Sequence, residues 1–192
     1  MCQSISGRNA SLHSCQAGYS LVELLVVLTL AAVLFGVAMP AMTAMINSQR
    51  SLALASALLS SLNMARAEAI KRNGRAVLCK STTGAACTSA GGWEQGWIVF
   101  HDANNNAALD AGEQLIEQKG AVAPGLTLTG NTPVANYVSF SASGSAKLVS
   151  GAFQAGTFTV CLVPPSATDV RQLILSSTGR PRARKGAVAD CQ

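Results

Sequence analysis

The sequence predicts an α+β protein: one long N-terminal helix packed on the antiparallel β-sheets of a C-terminal head. Three observations carry that prediction. Residues 19–73 read as continuous helix, apolar at first and amphipathic later. Beyond Gly74 the pattern changes to short apolar runs of strand length, set off by Gly, Asn, Pro and Ser. The helical pattern comes once and first, and the strands follow on short connections. That order fits an α+β layer rather than an alternating α/β sheet.

Residues 1–18 are polar, with Arg8 their one charged side chain. The stretch GYSLVELLVVLTLAAVLFGVAMPAMTAMI follows, from Gly18 to Ile46, and Glu23 is its single charge. From Leu24 to Ile46 nothing ionises, which is length enough for a helix to cross a bilayer. A carboxylate inside such a run is costly and marks function, because it needs a partner. A conventional secretory signal would be cut after its apolar run, but Glu23 and the length of this one speak against that reading. Pro40, near Gly36, removes a helix hydrogen bond and predicts a kink or a locally melted turn. From Asn47 the helix becomes amphipathic. Leu52, Ala55, Leu58, Leu59, Leu62, Ala65 and Ala69 form an apolar stripe, with Ser51, Ser56, Ser60, Asn63, Arg66 and Lys71 mainly elsewhere on the wheel. Asn73-Gly74 ends it, after Lys71 and Arg72.

The Gly18-Tyr19 junction, Glu23 and the apolar run together resemble the prepilin signal of type IV pilins and type II secretion pseudopilins. The resemblance implies a pilin-like fold and a defined maturation. Prepilin peptidase would cut between Gly18 and Tyr19, and the new Tyr19 amine would be methylated. Glu23 would then pair with the amine of a neighbouring subunit during assembly, in head-to-tail contacts that build a filament. The implied organisation is a leader over 1–18, a transmembrane half-helix over 19–46, an amphipathic half over 47–73, and a periplasmic head over 74–192. The protein would thus be a single-pass inner-membrane protein whose partners are other pilins or pseudopilins.

Charged residues make up only 12% of the chain, and Ser, Thr, Gly and Asn supply the polar surface, as in a secreted β-rich head. Strands are expected at Arg75–Lys80, Gly96–His101, Gln114–Gln118, Leu126–Thr129, Tyr137–Ser141, Ala146–Val149, Thr157–Val163 and Arg171–Ser176. Of the six cysteines, Cys2 and Cys15 fall in the leader. Cys79, Cys87, Cys161 and Cys191 remain, an even number in an exported chain, which argues for disulfides. Three connectivities are open, and Cys79–Cys87 with Cys161–Cys191 is favoured: the first closes a short loop, the second pins the tail. No C-x-x-C pair supports zinc.

The segment WEQGWIVFHDANNNAALDAGEQLI, Trp93 to Ile116, resembles the strand–turn–strand signature of the GspH/FimT branch of pseudopilins and minor pilins. Trp93 and Trp97 read as core or lid residues. Asp102, Asn104, Asn106, Asp110 and Glu113 match ligand positions of a calcium loop. Ala107 stands where such a loop needs glycine, and Asx turns account for the same residues without metal.

The basic charge of the chain, +5 overall, gathers at its end. In the stretch Ser177-Thr178-Gly179-Arg180-Pro181-Arg182-Ala183-Arg184-Lys185, Gly179 to Arg182 are similar to the Gly-Arg-x-Arg motif with which FimT-type minor pilins contact DNA. The resemblance implies double-stranded DNA as a partner of Arg180, Arg182, Arg184 and Lys185. Guanidinium forks suit phosphate, and with few base-reading groups beside them binding would be weak and sequence-independent. The competing reading is a basic edge that guards a sheet against pairing. Catalysis finds no support. His13 lies in the leader, His101 reads as a strand-end residue, and no nucleophile or phosphate-loop motif is present. The chain therefore reads as a filament subunit, not an enzyme, with no cofactor and no small-molecule substrate. A FimT-like minor pilin of a type IV pilus, serving DNA uptake in natural transformation, is the first reading. A GspH-like minor pseudopilin of a type II secretion system is the second, and a monomeric membrane-anchored binding protein the third.

Overall fold

A computed structural model describes residues 18–164 and 170–191, with backbone alone for 37–41. The leader through residue 17, with Cys2, Cys15 and His13, lies outside the described residues. Two compact units divide the chain, Met1–Thr43 and Ala44–Gln192. Helix α1 (Leu21–Arg72) begins in the first and ends in the second.

In the first unit the described side chains are exposed on almost every face, Leu24, Val27, Leu30 and Phe35 among them. Tyr19, Glu23, Leu24, Val27 and Leu28 line one shallow apolar groove. The helix is continuous in backbone through Pro40 in the single chain. Among the described residues no helix is long and apolar enough to cross a membrane. The spanning segment read over 19–46 includes 37–41, whose side chains lie outside the description.

The second unit holds eight strands. They are β1 (Arg75–Lys80), β2 (Trp97–Asp102), β3 (Leu115–Lys119), β4 (Leu126–Gly130), β5 (Tyr137–Phe140), β6 (Gly156–Leu162), β7 (Arg171–Leu175) and β8 (Pro181–Lys185). They form two antiparallel sheets, ordered β3-β2-β1-β5 and β4-β6-β7-β8. Seven of the expected strands are present within a residue or two. The eighth, Ala146–Val149, is not a strand; only single bridges, Phe140↔Ala146 and Lys147↔Phe153, form there. In its place the basic tail supplies β8.

Each sheet presents one face to the amphipathic half of α1. Leu58, Leu62, Ala65 and Ala69 pack against Leu78, Trp97, Val99 and Phe140 of one sheet and Leu128, Phe158, Val160 and Leu173 of the other. Full burial of each large apolar side chain contributes about 1.5–3 kcal/mol. The expected stripe is present from Ala55 to Ala69 and departs from expectation at its start. Leu52 is exposed, whereas Ser51, Leu54 and Ser61 are inside. The serines are inexpensive to bury because their hydroxyls are bonded: Ser51 Oγ donates to Ser48 O (3.1 Å), and Ser61 Oγ accepts from Trp97 Nε1 (2.9 Å). Trp93 is a core residue, its indole donating to Val134 O (3.1 Å) and standing edge-on to Phe158. The helix ends with Asn73 at φ 50° and Gly74 N bonded to Ala69 O. Glu68 there accepts from Arg72 (2.6 Å), which holds its carboxyl below the usual range against the opposing effect of burial, with Lys71 adding to the pull.

A second, smaller core lies on the other face of the first sheet. Val77, Cys79, Ile98 and Phe100 are covered there by Cys87, Ala107 and Leu109. Burial on both faces explains why β1 and β2 read as unbroken apolar runs. Cys79 is bridged to Cys87 and Cys161 to Cys191.

Candidate nucleic-acid interface

The tail forms a strand because β7 offers it an open edge. Apolar alternation plays no part, since β8 is PRARK and its residues are exposed apart from the half-buried Pro181. Pairing is antiparallel through the tight Ser176–Arg180 turn, with Ile174↔Arg182, Leu173↔Ala183 and Gln172↔Arg184 opposed. β8 ends its sheet, and among the described residues no strand pairs with its outer edge. Successive side chains alternate between faces, which puts Arg182 and Arg184 on one face, about 6.7 Å apart along the strand, with Arg180 in the turn that leads into it. Among the described residues none of the three has a carboxylate within ion-pair distance. Arg184 Nε donates to Gln172 Oε1 (2.8 Å), which fixes its direction.

Lys185 does not join them. It pairs with Arg171, whose guanidinium reaches Ser48 Oγ of α1 (3.3 Å), so both stand on the helix side of the sheet. Of the four residues expected from sequence, Arg182 and Arg184 therefore share one face, Arg180 leads into them from the turn, and Lys185 faces away. On the arginine face lies a polar groove of about 570 Å³, lined by Thr129, Thr157, Thr159, Gln172, Arg184 and Asp190. The bridge from Cys161 to Cys191 holds the chain end at this sheet.

The turn that carries Arg180 is positioned by close packing. Gly179 is buried, has φ 76°, and lies so near Gly144 O that a side chain would strike that carbonyl. The same carbonyl accepts a hydrogen bond from Arg66 Nε of α1 (2.9 Å). Arg66 and Gly144 were not singled out by sequence. A half-polar residue on a helix wheel and a glycine in a serine-rich loop give no local sign of sharing one oxygen.

The turn after β2 satisfies its own groups. Asp102, 1% exposed, accepts from Asn106 N and Ala107 N. Glu113 accepts from Ala103 N and Asp110 N. Asp110 accepts from the side-chain amides of Asn104 and Asn106 (2.7 Å each), and those bonds lower its pKa. The five candidate calcium ligands are thus joined by Asx-type bonds, and among the described residues no group of three or more His, Cys, Asp or Glu is placed to hold a metal. His101 is half-buried in β2, beside a cleft lined by Arg72, Arg75, Asp102 and Asn105. Arg75 there is engaged by Asn105 and Ser139.

Comparison with known proteins now places this architecture. A family profile described as type II transport protein GspH matches residues 54–179, and the prokaryotic N-terminal methylation motif matches residues 13–39. The chain belongs to the GspH family. Members are pilin-like structural subunits, and this GspH-family chain is one of them rather than an enzyme. No curated protein matches the chain in sequence. Among solved structures, the type IV minor pilin FimU of Pseudomonas aeruginosa is similar in fold, at 19% identity and a TM-score of 0.51, over 69% of this chain and 91% of that one. The minor pseudopilin EpsH of the Vibrio cholerae type 2 secretion system is similar at 10% identity and a TM-score of 0.50, over 71% and 97%. The methylation motif spans Gly18, Tyr19 and Glu23 and implies prepilin peptidase and other pilins as partners of this GspH-family subunit.

Proposed function

We propose that this protein is a minor subunit of a type IV pilus that captures double-stranded DNA for uptake. It is anchored in the inner membrane through residues 19–46 before assembly, with its head in the periplasm. The observation that carries DNA capture is the set of Arg182 and Arg184 on the edge strand of a sheet with Arg180 in the turn before them, none paired with an acid among the described residues. Guanidinium groups so placed meet successive phosphates without reading bases, so affinity is modest and steeply salt-dependent.

With three phosphates neutralised, log affinity falls with log salt at a slope of roughly −3. Replacing Arg180 and Arg182 by alanine brings that slope to about −1 and weakens binding at least tenfold at about 0.1 M salt. Mobility shifts across a salt series measure both. An unchanged slope in the double variant removes the DNA reading.

Entry into the filament rests on Tyr19 and Glu23, which share one groove of the first unit. Maturation at Gly18 predicts that mass spectrometry of protein isolated from cells finds a methylated Tyr19 as the first residue. An intact leader or another start removes the assembly reading. The family description and the likeness to EpsH support a second reading, a minor pseudopilin of a type II secretion system. There the same double variant leaves secretion intact, while Glu23→Ala abolishes it.

A further inference from the structure

We infer that the DNA-contacting surface continues from β8 across the Gly179 turn onto Arg66 of α1, whose guanidinium is a fourth phosphate contact. The inference rests on the reading of β8 given above. Arg66 is half-buried, and its one hydrogen bond among the described residues runs from Nε to Gly144 O. The two terminal nitrogens are left without a protein partner there. The acid nearest in sequence, Glu68, is already engaged by Arg72 (2.6 Å) and Lys71 (3.3 Å).

What surrounds Arg66 suits an anion. The turn 141–145 and the turn 176–180 meet at Gly144 O, against which Gly179 packs, so Arg66 and Arg180 flank one junction. Neither turn contains an acid. Both are rich in hydroxyls held in place by short-range bonds, Ser143 to Ser145 (3.1 Å) and Ser176 to Thr178 (2.8 Å). A guanidinium fixed through Nε presents its remaining N–H groups as an oriented fork. Little side-chain freedom is then lost when a phosphate docks.

Arg66→Gln separates charge from scaffolding, because an amide N–H can still donate to Gly144 O. The full mature chain in zwitterionic detergent is titrated with duplex DNA over a salt series, and its melting is followed in parallel. The expected result is a Tm within about 2 °C of wild type and a salt slope shallower by about 0.9. Arg66→Lys should restore most of the slope, since it returns the charge. If Arg180→Ala with Arg182→Ala lowers the slope while Arg66→Gln leaves it unchanged, this extension is wrong and the β8 reading stands. If the arginine pair itself has no effect, the β8 reading and the extension fall together. A drop in Tm for Arg66→Gln that Arg66→Lys repairs without recovery of slope also overturns it, because Arg66 is then scaffold alone.

Discussion

Trp97→Ala is expected to cost about 3–5 kcal/mol and to lower the Tm of the head by roughly 10–15 °C, read by thermal and urea melts. The reason lies in what this indole joins. Trp97 opens β2 between Lys80 of β1 and Lys119 of β3, and its ring is 1% exposed in the core beneath α1. Its Nε1 reaches across to Ser61 Oγ, which is itself fully buried. One residue therefore fills core volume between helix and first sheet and also satisfies a polar group on each. Two smaller changes divide the effect. Trp97→Phe keeps most of the volume and orphans Ser61 Oγ, whereas Ser61→Ala orphans the indole N–H, each at about 1–3 kcal/mol. The combined Ser61→Ala and Trp97→Phe chain leaves neither group unpaired, so its cost should fall below the sum of the two. Strict additivity would show that the bond contributes nothing and that Trp97 acts by volume alone.

The same pair shows where sequence reasoning stops. Trp97 is legible as a core residue because it opens an apolar run. Ser61 is not, since a serine on a helix reads as surface until a donor is seen opposite. Ser51 misleads in the same way, and with it the start of the stripe, which places Leu52 inside when the structure puts Leu54 there; from Ala55 to Ala69 the stripe is as read. The long helix, its stop at Asn73-Gly74 and β1 were legible because each depends on local pattern: apolar spacing, a left-handed cap, a run of β-branched and aliphatic residues. β8 was not legible as a strand. Its pairing is decided by the open edge of β7, and nothing in PRARK alternates in polarity. Alternation within an extended segment was enough to put Arg182 and Arg184 on one face. The same alternation sets Lys185 on the other face, and its pairing with Arg171, which reaches α1, shows that this is the helix side.

Gly179→Val is the second large effect, and it tests how the arginines are aimed. Position 179 has φ 76°, where a β-branched residue is strained by roughly 1–3 kcal/mol. At this site strain is only part of the cost. The first side-chain carbon would run into Gly144 O, a backbone oxygen that Arg66 also holds, so the neighbour cannot swing aside as a flexible side chain would. Overpacking adds about 1–3 kcal/mol, and the Tm should fall by roughly 5–15 °C. Gly112→Val supplies the control. Its φ of 93° is equally unfavourable to a side chain, yet nothing lies within 4 Å of the added carbon. That variant should lose only the strain. If the two variants melt alike, the contact with Gly144 contributes nothing to the turn. If Gly179→Val melts much lower and its DNA salt slope is also shallower, the missing side chain of Gly179 is what lets the turn sit close enough to α1 to aim Arg180.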